Sequence, residues 1–301
     1  MDSILVSISC ITFNHADHIR ECLEGFVNQE TSFAFEILIY DDASTDQTAD
    51  IVKEYELKFP KLIKPIYQKE NQYSQGVRGM NIKFNYPRAN GKYIALCEGD
   101  DYWTDPNKLQ KQVDFLEANP DHVLVGHNRI TVDGKNCEIH SEKLLAPDYY
   151  TQCILFLNVL KTDYLQFDNR NIANGDTFLI LYLSNFGKKK ILDFVGAAYR
   201  ISDVGIWSKI SPEQKLNSSN KSLDGMIAFF EKFNYPESKK IAEEYKLNNH
   251  VTYLLRVGKT DLSTLFKIAF TAIRKSKMSL VKTIFYHLAK GKLTIGSGKT
   301  A

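Results

Sequence analysis

Three acids stand within four positions at Glu98-Gly99-Asp100-Asp101, and two more are adjacent at Asp41-Asp42. Carboxylates packed this closely repel one another, so they need a cation or hydrogen-bond donors to share a site. Hard divalent ions such as Mg²⁺ or Mn²⁺ take oxygen ligands and keep positions open for phosphate oxygens. The spacing therefore predicts a metal–diphosphate site. Acids in such places also cap helices, and Asp46 and Asp105 read as caps only. Three acids in four positions exceed what a cap needs.

These acids act together only if the fold gathers them. Ile4–Ile11 is short, apolar and β-branched, which reads as a buried strand. Ile19, Cys22, Leu23, Phe26 and Val27 place a helix over Asp17–Asn28. Phe35–Tyr40 reads as a second strand running into Asp41-Asp42. Ser44 and Gln47 suggest a capping box before a helix through Ala49–Tyr55. Leu62–Tyr67 reads as a third strand, Gly76–Tyr86 as a helix, and Tyr93–Cys97 as a fourth strand entering the Glu98 cluster. Asp105-Pro106 opens a helix through Leu109, Val113 and Leu116, and Val123–Val132 is a further strand. Strands alternating with helices imply βαβ units and a mainly parallel sheet. Ligands of such sheets bind beyond the carboxyl ends of the strands, where both acidic groups fall.

Composition sets limits. The chain has 301 residues, 44% hydrophobic and 25% charged, which is ordinary for a globular protein of one large domain plus an appendage. Five cysteines without a C-x-x-C pair argue against a disulfide framework or zinc site, and Cys10 and Cys97 read as core residues. Met1-Asp2-Ser3 lacks the basic region of a signal peptide, and there is no run of 18 apolar residues. Gly296–Thr300 resembles the end of a phosphate loop, but Leu293 stands where that pattern needs Gly. No G-x-G-x-x-G follows the first strand, which weakens a nicotinamide-cofactor reading. Residues 251–301 hold ten Lys and Arg against one acid, a net +9, leaving −7 on the rest.

Ile8–Asn14, Asp41–Asp46 and Glu98–Trp103, in this order and spacing, resemble the family 2 glycosyltransferases of GT-A fold. The resemblance covers about residues 4–210. It implies a Rossmann-like α/β domain and an inverting transfer from a nucleoside-diphosphate sugar with Mn²⁺ or Mg²⁺. By position, Thr12 and Phe13 line the nucleotide pocket, and Asp42 accepts the base imide N–H, which favours a UDP-sugar. Glu98-x-Asp100 matches the D-x-D motif, with Glu98 near ribose or metal and Asp100 on the metal. Asp101 shares the metal role, and Arg78 and Arg88 are diphosphate candidates. Asp176, opening an apolar helix over Phe178–Leu183, takes the place of the catalytic base, with an N-cap as its other reading. Asp168 and Asp193 are weaker choices. Relatives carry a His where Ser202 stands, and Trp207 either covers the site or sits in the core. His15 and His18 are expected to face solvent, with phosphate contact as the alternative.

The domain division expected is a catalytic domain over 1–210, with its nucleotide-sugar part about 1–105 and its acceptor part about 106–210, then a helical basic region over 211–301. The resemblance implies an acceptor hydroxyl on a glycan or lipid-linked glycan, in surface polysaccharide synthesis. No nucleic acid partner is expected. A metal-dependent nucleotidyltransferase and an inactive sugar-binding protein are the rival functions. Leu262, Leu265, Phe266, Ala269, Phe270 and Ile273 form an apolar stripe among lysines and arginines. That stripe suits an anionic membrane surface, giving a cytoplasmic protein peripheral to the inner face of the plasma membrane, or else it packs on protein.

Overall fold

A computed structural model describes residues 3–142, 149–168, 170–201 and 211–256. The described residues fall into two compact units, one reaching to residue 170 with 175–201 added, the other holding 171–174 with 211–256.

In the first unit the chain runs β1 (Val6–Thr12), α1 (Ile19–Val27), β2 (Phe35–Asp41), α2 (Thr48–Lys58), β3 (Ile63–Tyr67) and β4 (Tyr93–Leu96). It continues through β5 (Tyr102–Trp103), α3 (Lys108–Ala118), β6 (His122–Val132), β7 (Glu138–Glu142), β8 (Leu155–Leu157), α4 (Thr162–Leu165), α5 (Gly175–Leu183) and β9 (Lys188–Arg200). The strands form one sheet in the order β3-β2-β1-β4-β8-β6-β9-β5, with β7 on β6. From β3 to β4 all pairs are parallel. Beyond β4 the sheet is mixed: β8 is antiparallel to β4 and β6, β9 is parallel to β6, and β5 is antiparallel to β9. The parallel half is the one whose helical crossovers the sequence displays.

β1 and β2 are buried on both faces, as parallel strands under helices must be. Ile8, Ile39 and Ala95 meet Ile19, Leu23 and Phe26 of α1 in the main core. Each large side chain so buried contributes about 1.5–3 kcal/mol. Phe26 also meets Trp103 edge-on at 4.7 Å, which ties α1 to the segment after the acidic cluster.

Three local expectations change. Gly76 and Gly79 adopt φ of 84° and 67°, which keeps 76–79 out of a helix. A π-helical turn over Asn81–Asn85 follows instead, and Asn85 Nδ2 donates to the carbonyls of Cys10 and Leu38. The Ser44–Gln47 capping box does not form, because Ser44 Oγ donates to Asp41 Oδ1 and α2 starts only at Thr48. Asp46 Oδ1 accepts the Thr48 N–H there. After Asp105-Pro106, α3 likewise starts later, at Lys108, with Asp105 Oδ1 accepting the Asn107 N–H.

In the second unit, α6 (Pro212–Lys232) and α7 (Pro236–Arg256) are joined through Asn234 at φ 59°. Ser211 and Gln214 form a reciprocal capping box with Pro212 in the first turn. Ion pairing of Lys246 with Asp224 and burial of Met226, Phe229 and Phe230 hold the hairpin. The apolar stripe from Leu262, Ser202 and Trp207 lie outside the described residues. Among the described residues no helix is long and apolar enough to cross a membrane.

Candidate functional site

β1 ends at Thr12, and Phe13 follows, 40% exposed. The next loop is laced to the loop after β2. The N–H groups of Asn14, His15 and Ala16 donate to Ser44 Oγ, Thr48 Oγ1 and Asp46 Oδ2, at 2.9, 2.8 and 3.0 Å. Thr45 N–H donates back to Asn14 Oδ1. These bonds hold Asn14 and Ala43 at φ of 55° and 60°, a conformation that costs a non-glycine residue such as Ala43 about 1–2 kcal/mol.

Asp42 is buried at the tip of β2. Its Oδ1 accepts the Tyr40 hydroxyl and the Gln72 N–H, and its Oδ2 accepts the Tyr73 N–H at 3.0 Å. A carboxylate has about four acceptor sites, so one remains for a ligand donor. Arg78 belongs to the same loop: Nη1 donates to the carbonyls of Tyr73 and Val77, and the guanidinium stacks 3.9 Å over the Tyr73 ring. Arg88 serves the scaffold instead. Its nitrogens donate to the carbonyls of Lys64 and Ile39 and to Asn85 Oδ1, which commits it away from a diphosphate.

β4 delivers the acidic loop. Gly99 N–H donates to Ile11 O, docking the loop on β1. A Cβ at Gly99 would stand 2.6 Å from Thr12 Oγ1 and 3.0 Å from His15 Nδ1, so this middle position requires glycine. From β9, Arg200 N–H donates to Asp101 Oδ1 and Arg200 Nη1 to the Asp100 carbonyl. Arg200 Nη2 reaches Glu21 and Asn136, tying the loop to α1 and to the β6–β7 turn. Asp101, expected beside the metal, is buried with one oxygen engaged in that anchor.

The charges are unbalanced. Burial, then Asp100 and Asp176, push the Glu98 carboxyl up to about 8. Burial, then Asp100, hold Asp101 well above the ordinary carboxylate range, with the Arg200 N–H and Arg129 acting the other way. Arg129 lies buried between the rings of Tyr150 and Tyr199, at 3.7 and 4.1 Å. Asp176 occupies the exposed first turn of α5, where Oδ1 accepts the Thr177 N–H. Its charge helps raise both the Glu98 carboxyl and the buried Tyr86 hydroxyl, in each case after burial itself. Asp168 instead pairs with Arg170, and Asp193 accepts a bond from Asn128.

His15 is half-buried, not solvated: Nδ1 lies 3.2 Å from Thr12 Oγ1 and Nε2 faces Asp100 Oδ2 at 3.9 Å. His18 is also half-buried, and burial followed by Arg200 lowers its pKa. Among the described residues no three His, Cys, Asp or Glu are grouped so as to hold a metal ion. One or two side chains plus substrate phosphates commonly hold Mg²⁺, and the donors here fit that pattern. Arg129 and Arg200 were missed as site residues, and His15 was expected to face solvent, with phosphate contact as the alternative.

The chain belongs to Glycosyl transferase family 2, whose profile matches residues 7–183. It is 31% identical over 292 residues to protein Rv1520 of Mycobacterium tuberculosis, covering 94% of this chain and 80% of that one. It is 36% identical over 114 residues to the UDP-Glc:alpha-D-GlcNAc-diphosphoundecaprenol beta-1,3-glucosyltransferase WfaP of Escherichia coli, covering 38% of this chain and 42% of WfaP. The S. aureus TarS 1–349 structure in complex with UDP-GlcNAc matches with a TM-score of 0.57 at 18% identity, covering 96% of this chain and 92% of that one. The protein is thus a glycosyltransferase with a GT-A fold, and the nucleotidyltransferase reading is set aside.

Proposed function

We propose that this enzyme moves a sugar from a nucleoside-diphosphate donor, UDP-sugar favoured, to a hydroxyl of a glycan or lipid-linked acceptor, with inversion at the anomeric carbon. The carrying observation is the acidic cluster itself: Asp100 and Asp176 raise the Glu98 carboxyl, and Asp100 and Glu98 raise that of Asp101. Such an excess of negative charge suits a site completed by a cation and a ligand. Asp100 is the proposed ligand of Mn²⁺ or Mg²⁺, which when bound would stabilise the departing diphosphate. Asp101 assists by holding the loop on β9. The exposed Phe13 ring offers a face to the base, beside Thr12, and Asp42 keeps an acceptor site for an imide N–H. Arg78 retains Nε and Nη2 for phosphate oxygens.

Asp176 takes the acceptor's hydroxyl proton. The oxygen attacks the anomeric carbon from the face opposite the diphosphate, and that bond breaks with its electron pair leaving on phosphate. WfaP, by its name, uses UDP-Glc and a diphosphoundecaprenol-linked acceptor, and the TarS neighbour holds UDP-GlcNAc, which supports this donor and acceptor class. The first unit would be the catalytic domain. The basic stripe from Leu262 suits an anionic membrane surface, where a lipid-linked acceptor is met.

A screen of nucleotide sugars for Mn²⁺-dependent release of nucleoside diphosphate tests the reading, with a UDP-sugar expected to respond. Asp100→Ala should abolish metal-dependent donor binding while the fold persists. Calorimetry showing unchanged donor affinity with metal would overturn the assignment.

A further inference from the structure

We infer that His15 supplies a nitrogen ligand to the divalent ion held by Asp100, so that the loop after β1 and the loop after β4 close on one cation. The inference rests on the metal reading above and goes beyond it, because that reading uses carboxylates alone.

The imidazole is held at several points. The His15 main-chain N–H is fixed on Thr48 Oγ1 at 2.8 Å, and Nδ1 stands 3.2 Å from Thr12 Oγ1. With Nδ1–H donating to that hydroxyl, Nε2 keeps its lone pair, and it faces Asp100 Oδ2 at 3.9 Å. A ligating histidine typically has its second ring nitrogen pinned in this way, which fixes tautomer and ring orientation. The separation suits a shared ion. Two ligand atoms about 2.1 Å from one cation stand about 3 Å apart when adjacent and about 4 Å when opposite.

Gly99 supplies the second argument. The absence of a Cβ there lets both Thr12 Oγ1 and His15 Nδ1 lie against the acidic loop. The glycine of Glu98-Gly99-Asp100 thus seats the imidazole and its orienting hydroxyl as well as shaping the loop. An imidazole ligand also moves metal preference away from Mg²⁺, which suits all-oxygen sites, toward Mn²⁺ and later transition metals.

The test uses the full chain, labelled with ¹⁵N-histidine, with Mn²⁺ and UDP added. Pulsed electron paramagnetic resonance should show a directly bonded histidine nitrogen in the wild type and lose it in His15→Gln. Calorimetry should show that His15→Gln weakens Mn²⁺ at least about tenfold and weakens Mg²⁺ less. A histidine coupling that persists in His15→Gln overturns the assignment to His15, and its absence from the unmutated protein overturns it even where the variant folds poorly. Mn²⁺ binding that depends on Asp100 without a histidine coupling overturns this inference and leaves the metal reading standing. Absence of any Asp100-dependent Mn²⁺ binding overturns both.

Discussion

The two ends of the same parallel strands hold buried carboxylates under opposite conditions. At the amino end, Glu36 of β2 is fully buried, accepts bonds from Ser7 Oγ and the Asn90 N–H, and pairs with Lys64 of β3 at 2.5 Å. Burial alone would raise its pKa, but Lys64, Asn90 and Ser7 outweigh burial and bring it below the ordinary value. At the carboxyl end, burial and neighbouring acids raise Asp41, Glu98 and Asp101. Among the described residues no Lys or Arg forms an ion pair with Glu98, Asp100 or Asp101. A carboxylate that serves the scaffold brings its cation from the next strand. The carboxyl-end acids stand in excess, which is the condition that the proposed metal and diphosphate would balance.

The largest expected effect lies at the carboxyl end. Asp176→Asn should keep donor binding and lose transfer by about 10²–10⁴-fold, the usual worth of a general base. Transfer at the wild-type rate would return Asp176 to a capping role through Thr177. The reverse pattern is expected at the amino end. Glu36→Ala should lose about 1–3 kcal/mol of stability, because it leaves the Ser7 hydroxyl and the Asn90 N–H without their acceptor, while the half-exposed Lys64 returns to water. UDP affinity of the folded fraction should stay within about twofold. Since the folded pKa of Glu36 lies below its unfolded value, its contribution is fully present above that unfolded value. It fades as pH falls through the folded one. Denaturant melts of wild type and variant should therefore converge in acid, and a constant gap down to pH 3 would contradict the pairing.

Asp42 combines both behaviours, since it supports a loop and offers one acceptor site. Asp42→Asn should weaken UDP by about 1.5–3 kcal/mol, roughly 10–150-fold, and weaken CDP far less, because cytosine lacks the imide donor. Equal losses for the two nucleotides would assign Asp42 to the loop alone.

What the sequence made legible follows the same divide. β1, β2, β4 and their helices read correctly because each is a local apolar run with a helical neighbour, and their acids fall at strand tips by topology. The mixed half was less legible, since β8 and β9 find their places by pairing with β4 and β6, over contacts that no local period encodes. Residue type alone could not show that Gly76 and Gly79 break the expected helix, or that Ser44 prefers Asp41 to a helix end. His15 resembled a solvated loop residue because its partners, Thr48 and Asp100, come from the start of α2 and from the loop after β4. Arg129 and Arg200 escaped for the same reason: an arginine in a strand says nothing until the strand beside it is known.

The smallest expected effect sharpens the comparison most, because its sign differs from that expected for a scaffold carboxylate such as Glu36. The Asp100 charge raises the pKa values of both Glu98 and Asp101, so in the metal-free protein it is a source of repulsion. Asp100→Asn removes that charge and keeps the size of the side chain, so it should stabilise the metal-free fold. A gain of about 1 kcal/mol would raise Tm by about 2–4 °C for a domain of this size. The loop itself should survive, since Arg200 holds it through the Asp100 carbonyl and the Asp101 carboxylate, which the substitution leaves in place. Adding Mn²⁺ and UDP should then raise the wild-type Tm past that of the variant, which gains little from either. A scaffold carboxylate such as Glu36 must behave oppositely, losing stability with or without metal. If metal-free Asp100→Asn melts below wild type, the carboxyl-end acids are already balanced within the protein, and the contrast between the two strand ends does not hold.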